Sequence, residues 1–185
     1  MKIKPIFALC AILGLAACET TTAIPYQAST QNVISAQRTL KPAETKVTLG
    51  AFTSSGKDAD KPTCRAMGQL DVAPGKSVEA FIRDAFQSEL FMAGAYDETS
   101  GTSISGHVDR VDVNSMGTGS WTIAITVKST KYPEGYGVTT TFPFASSFSA
   151  VSACKNAAAA FNPAVQDLLG KVVNHPNFGK LTGAR

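Results

Sequence analysis

Residues 121–128 have a large apolar side chain at every second position, with threonine, alanine or lysine between them, and this period of two constrains the fold more than any other feature of the chain. Successive side chains of a strand point to opposite faces, so the segment predicts a β-strand with one buried and one solvated face. Residues 104–113 and 138–144 repeat the pattern, the first with a change of phase near Asp109 and Arg110 that predicts a β-bulge. Glycine-containing turn sequences separate the three segments, which predicts an antiparallel meander.

Two segments upstream of the meander show the same period. Residues 45–52 alternate and lead into a loop rich in Ser, Gly and Asp, which predicts a first strand. Residues 64–72 alternate from Cys64 onward and stop before Pro74, which predicts a second. Together with the meander, they predict a sheet of about five strands.

Two other segments have the three-to-four-residue spacing of an amphipathic helix. The first begins after Ser77, a residue type that caps helices, and ends at Gly94, a residue type that terminates them. Its apolar stripe is interrupted by one carboxylate, Glu89. An aromatic and aliphatic stripe of this kind is typical of a helix packed on a core.

The second helix contains a proline. Its stripe begins near Ser149 and keeps its phase through Pro163 up to His175. The unbroken phase favours one bent helix. A fresh helix that Asn162 caps and Pro163 begins is the alternative.

The element order β-β-α-β-β-β-α predicts an α+β two-layer sandwich, with two helices on one face of an antiparallel sheet of about five strands. We place this single domain at residues 44–178 and a tail at residues 179–185. The chain is 44% hydrophobic, which is enough for one sizeable core in 185 residues.

Residues 1–17 have the layout of a signal peptide, with two lysines ahead of an apolar run that ends in small residues. The run is about a dozen residues long, whereas a spanning helix needs roughly 20. The sequence Leu-Ala-Ala-Cys at 15–18 resembles the lipobox of bacterial lipoproteins, which implies cleavage before Cys18 and its acylation by membrane lipid. An ordinary secretory cut near Ala17 is the alternative.

The residue after the lipobox bears on the destination. By resemblance to enteric lipoproteins, an aspartate at this position would imply retention in the inner membrane, so Glu19 favours the outer membrane with the domain facing the periplasm. Residues 18–43 are rich in Thr, Ser, Gln and Ala and show neither a helical nor a strand period. This composition predicts a flexible tether between the lipidated cysteine and the domain.

The expected state of the cysteines follows from this compartment. Cys10 would leave with the signal peptide and Cys18 would carry lipid, so Cys64 and Cys154 remain as one pair in an oxidising space. We therefore predict a disulfide between them. A reactive cysteine beside a histidine is the alternative, and neither histidine of the chain falls in a local nucleophile motif.

The net charge argues against nucleic acid as a partner. The full chain has 17 Lys and Arg against 14 Asp and Glu, and removal of residues 1–17 takes away two lysines, which leaves 15 against 14. A mature chain at +1 lacks the basic patch that neutralises phosphates. It also lacks the polybasic segment of a protein that binds a membrane surface by charge.

The sequence contains none of the common catalytic or metal-binding motifs: no phosphate-binding Gly-rich loop with Lys, no Gly-x-Ser-x-Gly elbow and no His-Glu-x-x-His. Asp109 and Asp112 are the nearest approach to a carboxylate pair, and we expect them to be solvated. We expect the same of Asp58 and Asp60, which lack the further oxygen donors of a calcium loop. The sequence therefore predicts a protein that is not an enzyme, with no cofactor and no metal site.

The lipobox, the Thr- and Ser-rich tether, and a helix followed by a three-strand meander and a terminal helix with a cysteine occur together in a known group. This chain resembles the small outer-membrane lipoproteins related to the lipopolysaccharide-assembly lipoprotein and to the auxiliary lipoproteins of ABC-type transport systems. The likeness is strongest over residues 77–96 and 104–111, a helix that ends in Gly and a strand of the form apolar-x-Gly-x-Val. It implies a non-enzymatic protein that binds a membrane complex or an envelope molecule.

Two functional hypotheses follow. The first is an accessory or assembly factor of an envelope transport complex, which would bind its partner through the free edge of the meander or through its polar face, where four threonines lie: Thr122, Thr126, Thr139 and Thr141. The second is a lipid- or glycan-binding module of the envelope, with a pocket around Trp121, Phe142 and Phe144. A second copy of the chain is a further partner that we consider.

Overall fold

Four strands form one sheet in the order β1-β2-β3-β4 in a computed structural model that describes residues 25–55 and 62–184. The three long strands form the expected antiparallel meander, whereas β1 pairs parallel to β2. The strands are β1 (Thr48–Ser54), β2 (Ser103–Asn114), β3 (Gly119–Ser129) and β4 (Tyr136–Phe144).

The α+β class is as predicted, but the expectation of about five antiparallel strands needs correction to a mixed sheet of four. The chain leaves β1, crosses over through a helix and returns to the same end of the sheet before β2 begins. A connection of that length allows parallel pairing, which a short hairpin does not. The alternation of residues 45–52 indicated a strand but contained no information on its direction.

The helices are α1 (Thr30–Leu40), α2 (Val78–Met92), α3 (Ala150–Val173) and the short α4 (Phe178–Thr182). The Ser77 hydroxyl accepts a hydrogen bond from the Ala80 amide and begins α2, and Gly94, at φ 70°, follows its end. The third helix is continuous through Pro163, so the alternative of a fresh helix capped by Asn162 is wrong.

The core lies between the sheet and the helices. The inward side chains of β3, from Trp121 to Val127, are buried, as the period of two predicted. The register of β2 against β3 shifts between Val108 and Arg110, which confirms the bulge. Gly106 faces the same layer, and a Cβ atom there would lie 2.6 Å from the Phe52 ring, so the present packing of that ring requires glycine at this position.

The strand expected over residues 64–72 is absent. Arg65–Met67 is a single 3₁₀ turn, with only an isolated bridge between Thr63 and Gln69 on either side of it. Arg65 has φ 50° and Gly68 has φ 90°, and neither value is compatible with an extended strand. The predicted disulfide between Cys64 and Cys154 is present, with 5.8 Å between the Cα atoms, and it joins this turn to the first half of α3.

The tether expected over residues 18–43 and the tail expected over 179–185 also need correction where the structure describes them. Residues 30–40 form α1, whose Val33, Ala36 and Leu40 are buried in the core. Their spacing of three and four is that of a helix stripe, which the many polar neighbours had obscured. At the other end α4 buries Leu181 completely, so the domain continues past residue 178.

Residues 1–24, with the predicted signal peptide and Cys18, lie outside the described residues, as do Asp58 and Asp60. Within residues 25–55 and 62–184, no helix has the length and apolar character needed to cross a membrane. In the same ranges, no three His, Cys, Asp or Glu side chains are grouped so that they could hold a metal ion.

Candidate interaction surface

The helices cover one face of the sheet and leave the other face open. The four threonines singled out from the sequence lie together on this open face. Thr122 is directly opposite Thr141, while Thr139 faces Ala124 and Thr126 faces Gly137 across the same pair of strands. Thr139 and Thr141 are exposed, whereas Thr122 and Thr126 on the inner strand are half-buried. The period of two was thus sufficient to place these four threonines on one face.

The outer edge of β4 adds unpaired backbone to this face. The Lys171 ammonium donates a hydrogen bond to the Thr139 carbonyl oxygen over 3.0 Å, so that carbonyl is directed away from β3. Alternate residues of an edge strand direct their backbone groups outward, which gives Thr141 and Pro143 the same orientation. Proline has no amide hydrogen to leave unpaired at such a position. Thr141 therefore presents an amide and a carbonyl along the accessible part of the edge.

At the opposite edge of the sheet, β1 has backbone carbonyl groups that already accept hydrogen bonds from a helix side chain. The register between β1 and β2 is irregular between Leu49 and Phe52. Arg83 of α2 donates hydrogen bonds to the carbonyl oxygens of Leu49 and Gly50, each over 3.0 Å. Because this side chain already engages two consecutive carbonyls of the shorter strand, β4 is the better edge for a partner.

A shallow groove of about 610 Å³ runs beside β4, between that strand and the helices α1 and α3. Phe142 and Pro163 are among its apolar contributors, and Lys171 and Asp167 supply opposite charges 3.5 Å apart. Thr140, the one buried threonine of β4, donates a hydrogen bond to Asp167 and accepts one from Lys171. A segment paired with the edge of β4 would place alternate side chains over this groove.

Parallel pairing brings a polar cluster together on β1 and β2 that the sequence did not reveal. Thr53 lies opposite His107 in the register, and its hydroxyl is 2.7 Å from Nδ1. The Ser55 hydroxyl is 2.6 Å from Nε2 of the same ring. The Ser–His distance is one that a nucleophile and its base could adopt, but the other ring nitrogen is bonded to a hydroxyl rather than to an orienting carboxylate. The ring connects two exposed hydroxyl groups across neighbouring strands.

Asp109 and Asp112, which follow His107 on β2, form contacts with other side chains. Asp109 accepts a hydrogen bond from Thr126 over 2.9 Å, and Asp112 pairs with Arg110 over 2.5 Å. Both aspartates are exposed, as expected from the sequence. The His107 ring is hydrogen-bonded instead to the hydroxyl groups of Thr53 and Ser55. The open face is thus a mixed polar surface with internal hydrogen bonds.

The aromatic side chains proposed as a ligand pocket lie on the covered face of the sheet, where Trp121 is directly opposite Phe142 and all three pack with the core. Trp121 is fully buried beneath α3, where its ring packs against Phe161 and its indole NH donates to the Ala157 carbonyl over 2.8 Å. Phe142 and Phe144 lie near the strand edge and are half-buried. Trp121 is therefore unavailable to a ligand, which removes the centre of that pocket.

One buried carboxylate holds the N-terminal segment in place. Oε1 of Glu89 accepts hydrogen bonds from the Tyr26 hydroxyl over 2.5 Å, the Asn32 amide over 3.0 Å and the Ser29 backbone over 3.3 Å. Oε2 has no hydrogen-bond partner among the described residues. Burial raises the pKa of Glu89 above the usual carboxyl range, against the lowering effect of these donors. Burial and the neighbouring carboxylate also raise the pKa of Tyr26.

No family model matches this chain, and no curated protein is similar to it. A solved structure with some likeness is the crystal structure of protein XCC0632 from Xanthomonas campestris, described under the family model DUF330. It has a TM-score of 0.46 and 12% sequence identity, over 70% of this chain and 84% of that one. A likeness at this level does not establish a common fold.

Proposed function

We propose that this chain is a non-catalytic, lipid-anchored accessory or assembly factor of an envelope transport complex, and that it binds its partner through the edge of β4 and the adjoining threonines. The observation that supports this proposal is the outward edge of β4, where Thr139 and Thr141 are exposed and the backbone at Thr141 is directed away from β3. An exposed edge of this kind accepts an added strand from another chain.

The groove beside β4 supports the same mode of binding. Main-chain hydrogen bonds to an edge are independent of sequence, so specificity comes from the pockets that receive alternate side chains. The partner strand would place an apolar side chain against Phe142 and Pro163, close to the Lys171 and Asp167 charges. An extended segment with alternating apolar and polar residues fits this arrangement.

The proposal includes a lipid anchor at Cys18. Acylation of Cys18 would hold the domain at a membrane, and two or more acyl chains are what stable anchoring requires. We propose that this membrane is the outer membrane, with the domain on its periplasmic side. The partner is then another envelope protein within reach of the anchored domain.

The test is capture of the partner in living cells by crosslinking, followed by mass spectrometry of what copurifies with the tagged full chain. We expect the double variant Thr139→Lys/Thr141→Lys to lose capture, because lysines on an edge strand oppose the addition of another strand. Both side chains are exposed, so folding should be unchanged in a thermal unfolding experiment.

The matched control is Ser88→Lys/Met92→Lys, which adds the same two charges to exposed positions of α2, away from the sheet. This control should capture the partner as the parent does. If the threonine variant retains full capture, partner binding through the β4 edge is wrong. Equal loss in both variants would point to net charge instead of the edge.

A further inference from the structure

Four of the seven large apolar side chains that are exposed among the described residues lie at one end of the domain. We call it the disulfide end and define it by the turn after Cys64, the β2–β3 hairpin, and the loop from β4 into α3 with the first turn of that helix. Phe148 is fully exposed there, and Met116 and Met67 are 64% and 52% exposed. Val151, in the first turn of α3, is 42% exposed. Large apolar residues grouped and exposed in this way mark a contact surface.

These residues stand on a rigid frame. The Arg65 guanidinium donates hydrogen bonds to the carbonyl oxygens of Ser115, Ser147 and Phe148 over 2.5, 2.8 and 3.2 Å. The Arg65 side chain therefore joins the turn that contains Met67 to the residue before Met116 and to Phe148. The Cys64–Cys154 disulfide attaches the same turn to α3. The backbone segments that carry these apolar side chains are thus joined to one another by hydrogen bonds and a disulfide.

The N-terminal segment approaches α3 from the side of this end. The Asn162 amide donates to the Pro25 carbonyl over 3.4 Å, and the Gln166 amide donates to the Gln27 carbonyl over 2.7 Å. The chain therefore runs along α3 in the same direction as the helix itself. Followed backwards from Pro25, it points towards the start of α3 and the disulfide end.

The length of chain before Pro25 is sufficient to reach that end. Asn162 is twelve residues after Ala150, where α3 begins, and at 1.5 Å per residue this is about 18 Å along the helix axis. Cys18 is seven residues before Pro25, and seven extended residues span up to about 24 Å. An acylated Cys18 can therefore lie level with Phe148.

We propose that the disulfide end rests on the lipid surface in which Cys18 is anchored, with Phe148, Met116, Met67 and Val151 at the boundary between headgroups and acyl chains. Apolar side chains gain free energy at that depth, and they would add a second attachment to the acyl chains. This proposal rests on the proposed function, since it takes the anchor from it. The strands would then stand upright on the membrane, with the β4 edge open to the side.

The test uses the full-length lipoprotein in vesicles of phosphatidylethanolamine and phosphatidylglycerol whose acyl chains are brominated, so that they quench nearby tryptophan. Phe148→Trp reports on the disulfide end. Phe91→Trp is the matched reporter, because Phe91 is 71% exposed and lies at the opposite end of the domain, beyond Glu89 on α2. The buried Trp121 contributes the same background to both variants and to the parent.

We expect brominated lipid to lower the additional emission of Phe148→Trp about twofold or more, and to leave that of Phe91→Trp close to its value in unbrominated vesicles. Both substitutions are at exposed sites, and thermal unfolding of each variant confirms that the fold is kept. Quenching of neither reporter, or stronger quenching at Phe91, overturns the proposal.

Flotation with the vesicles and the mass of the N-terminal peptide separate this proposal from the anchor on which it rests. A chain that floats and has acyl groups on Cys18, but shows no quenching at Phe148→Trp, overturns the docking of the disulfide end alone. A chain that does not float and has an unmodified Cys18 overturns the anchor, and the docking proposal with it.

Discussion

The turn after Cys64 and the N-terminal segment with α1 both lie outside the sheet, and the chain attaches them to the rest of the fold by different chemistry. The turn is held by a disulfide and by an arginine that donates to neutral carbonyl groups. The N-terminal segment is held by apolar packing of α1 and by a buried carboxylate at Glu89. We expect the first attachment to respond to reductant and the Glu89 part of the second to respond to pH, so the two can be tested separately.

The largest expected effect is on the turn. The disulfide closes a loop of 90 residues, and the chain-entropy model assigns such a loop about 4 to 5 kcal/mol of stability. We expect Cys64→Ala/Cys154→Ala to lower the free energy of unfolding by about that amount, as measured by urea denaturation. The parent protein with reductant should match the variant, and the variant should not respond to reductant. A variant as stable as the oxidised parent would show that the turn is held without the covalent bond.

Removal of the arginine should have a smaller effect on the same turn. Arg65→Met leaves the carbonyl groups of Ser115, Ser147 and Phe148 without this donor, and we expect a loss of about 2 kcal/mol in urea denaturation. Arg38→Met, at an exposed position of α1, is the control and should change stability by less than about 0.5 kcal/mol. Similar losses for the two variants would mean that Arg65 contributes no more than a surface arginine.

The smallest expected effect is a pH dependence of the stability that Glu89 gives to the N-terminal attachment. The folded-state pKa of Glu89 is raised, so its stabilising contribution is complete below the ordinary carboxyl pKa and is lost as the pH rises through the folded-state pKa. Glu89→Gln cannot ionise. We expect the stability of the parent relative to this variant to fall from acidic to neutral pH in urea denaturation, in the direction that the raised pKa of Glu89 requires.

The control for this pH effect is Cys64→Ala/Cys154→Ala, which retains Glu89 and should keep the pH dependence of the parent. A constant difference between the parent and Glu89→Gln across the pH range would show that the pKa of Glu89 is the same in the folded and unfolded states, which would contradict the raised pKa. A difference that grows in favour of the parent as the pH rises would contradict the raised pKa.

The meander and these two regions differ in how much the sequence revealed about them. The meander was predictable because the period of two in residues 121–128 reports directly which side chains face the core. The turn after Cys64 was misread as a strand, since its alternation is genuine but the backbone at Arg65 and Gly68 has positive φ. In α1, the buried residues Asn32 and Ser35 interrupt the apolar stripe. The Asn32 side-chain amide faces inward because it donates a hydrogen bond to the Glu89 carboxylate.

The candidate surface was predictable only in part. The threonines follow from the alternation along β3 and β4. The contact of Lys171 with Thr139 depends on how α3 lies across the strand, and the pairing of Thr53 with His107 depends on the direction of β1. Neither is a local property of the sequence, since both join residues that are distant along the chain.

The position of α1 against α3 has a consequence for the order of folding. Asn32 donates a hydrogen bond to the Gln166 carbonyl, 134 residues further along the chain. During synthesis, the first helix of the domain is complete long before the surface that covers its apolar stripe exists. Contacts of such separation slow folding, because the intervening loop must close before they form. The part of α1 that packs on α3 therefore stays uncovered until this last long helix has emerged.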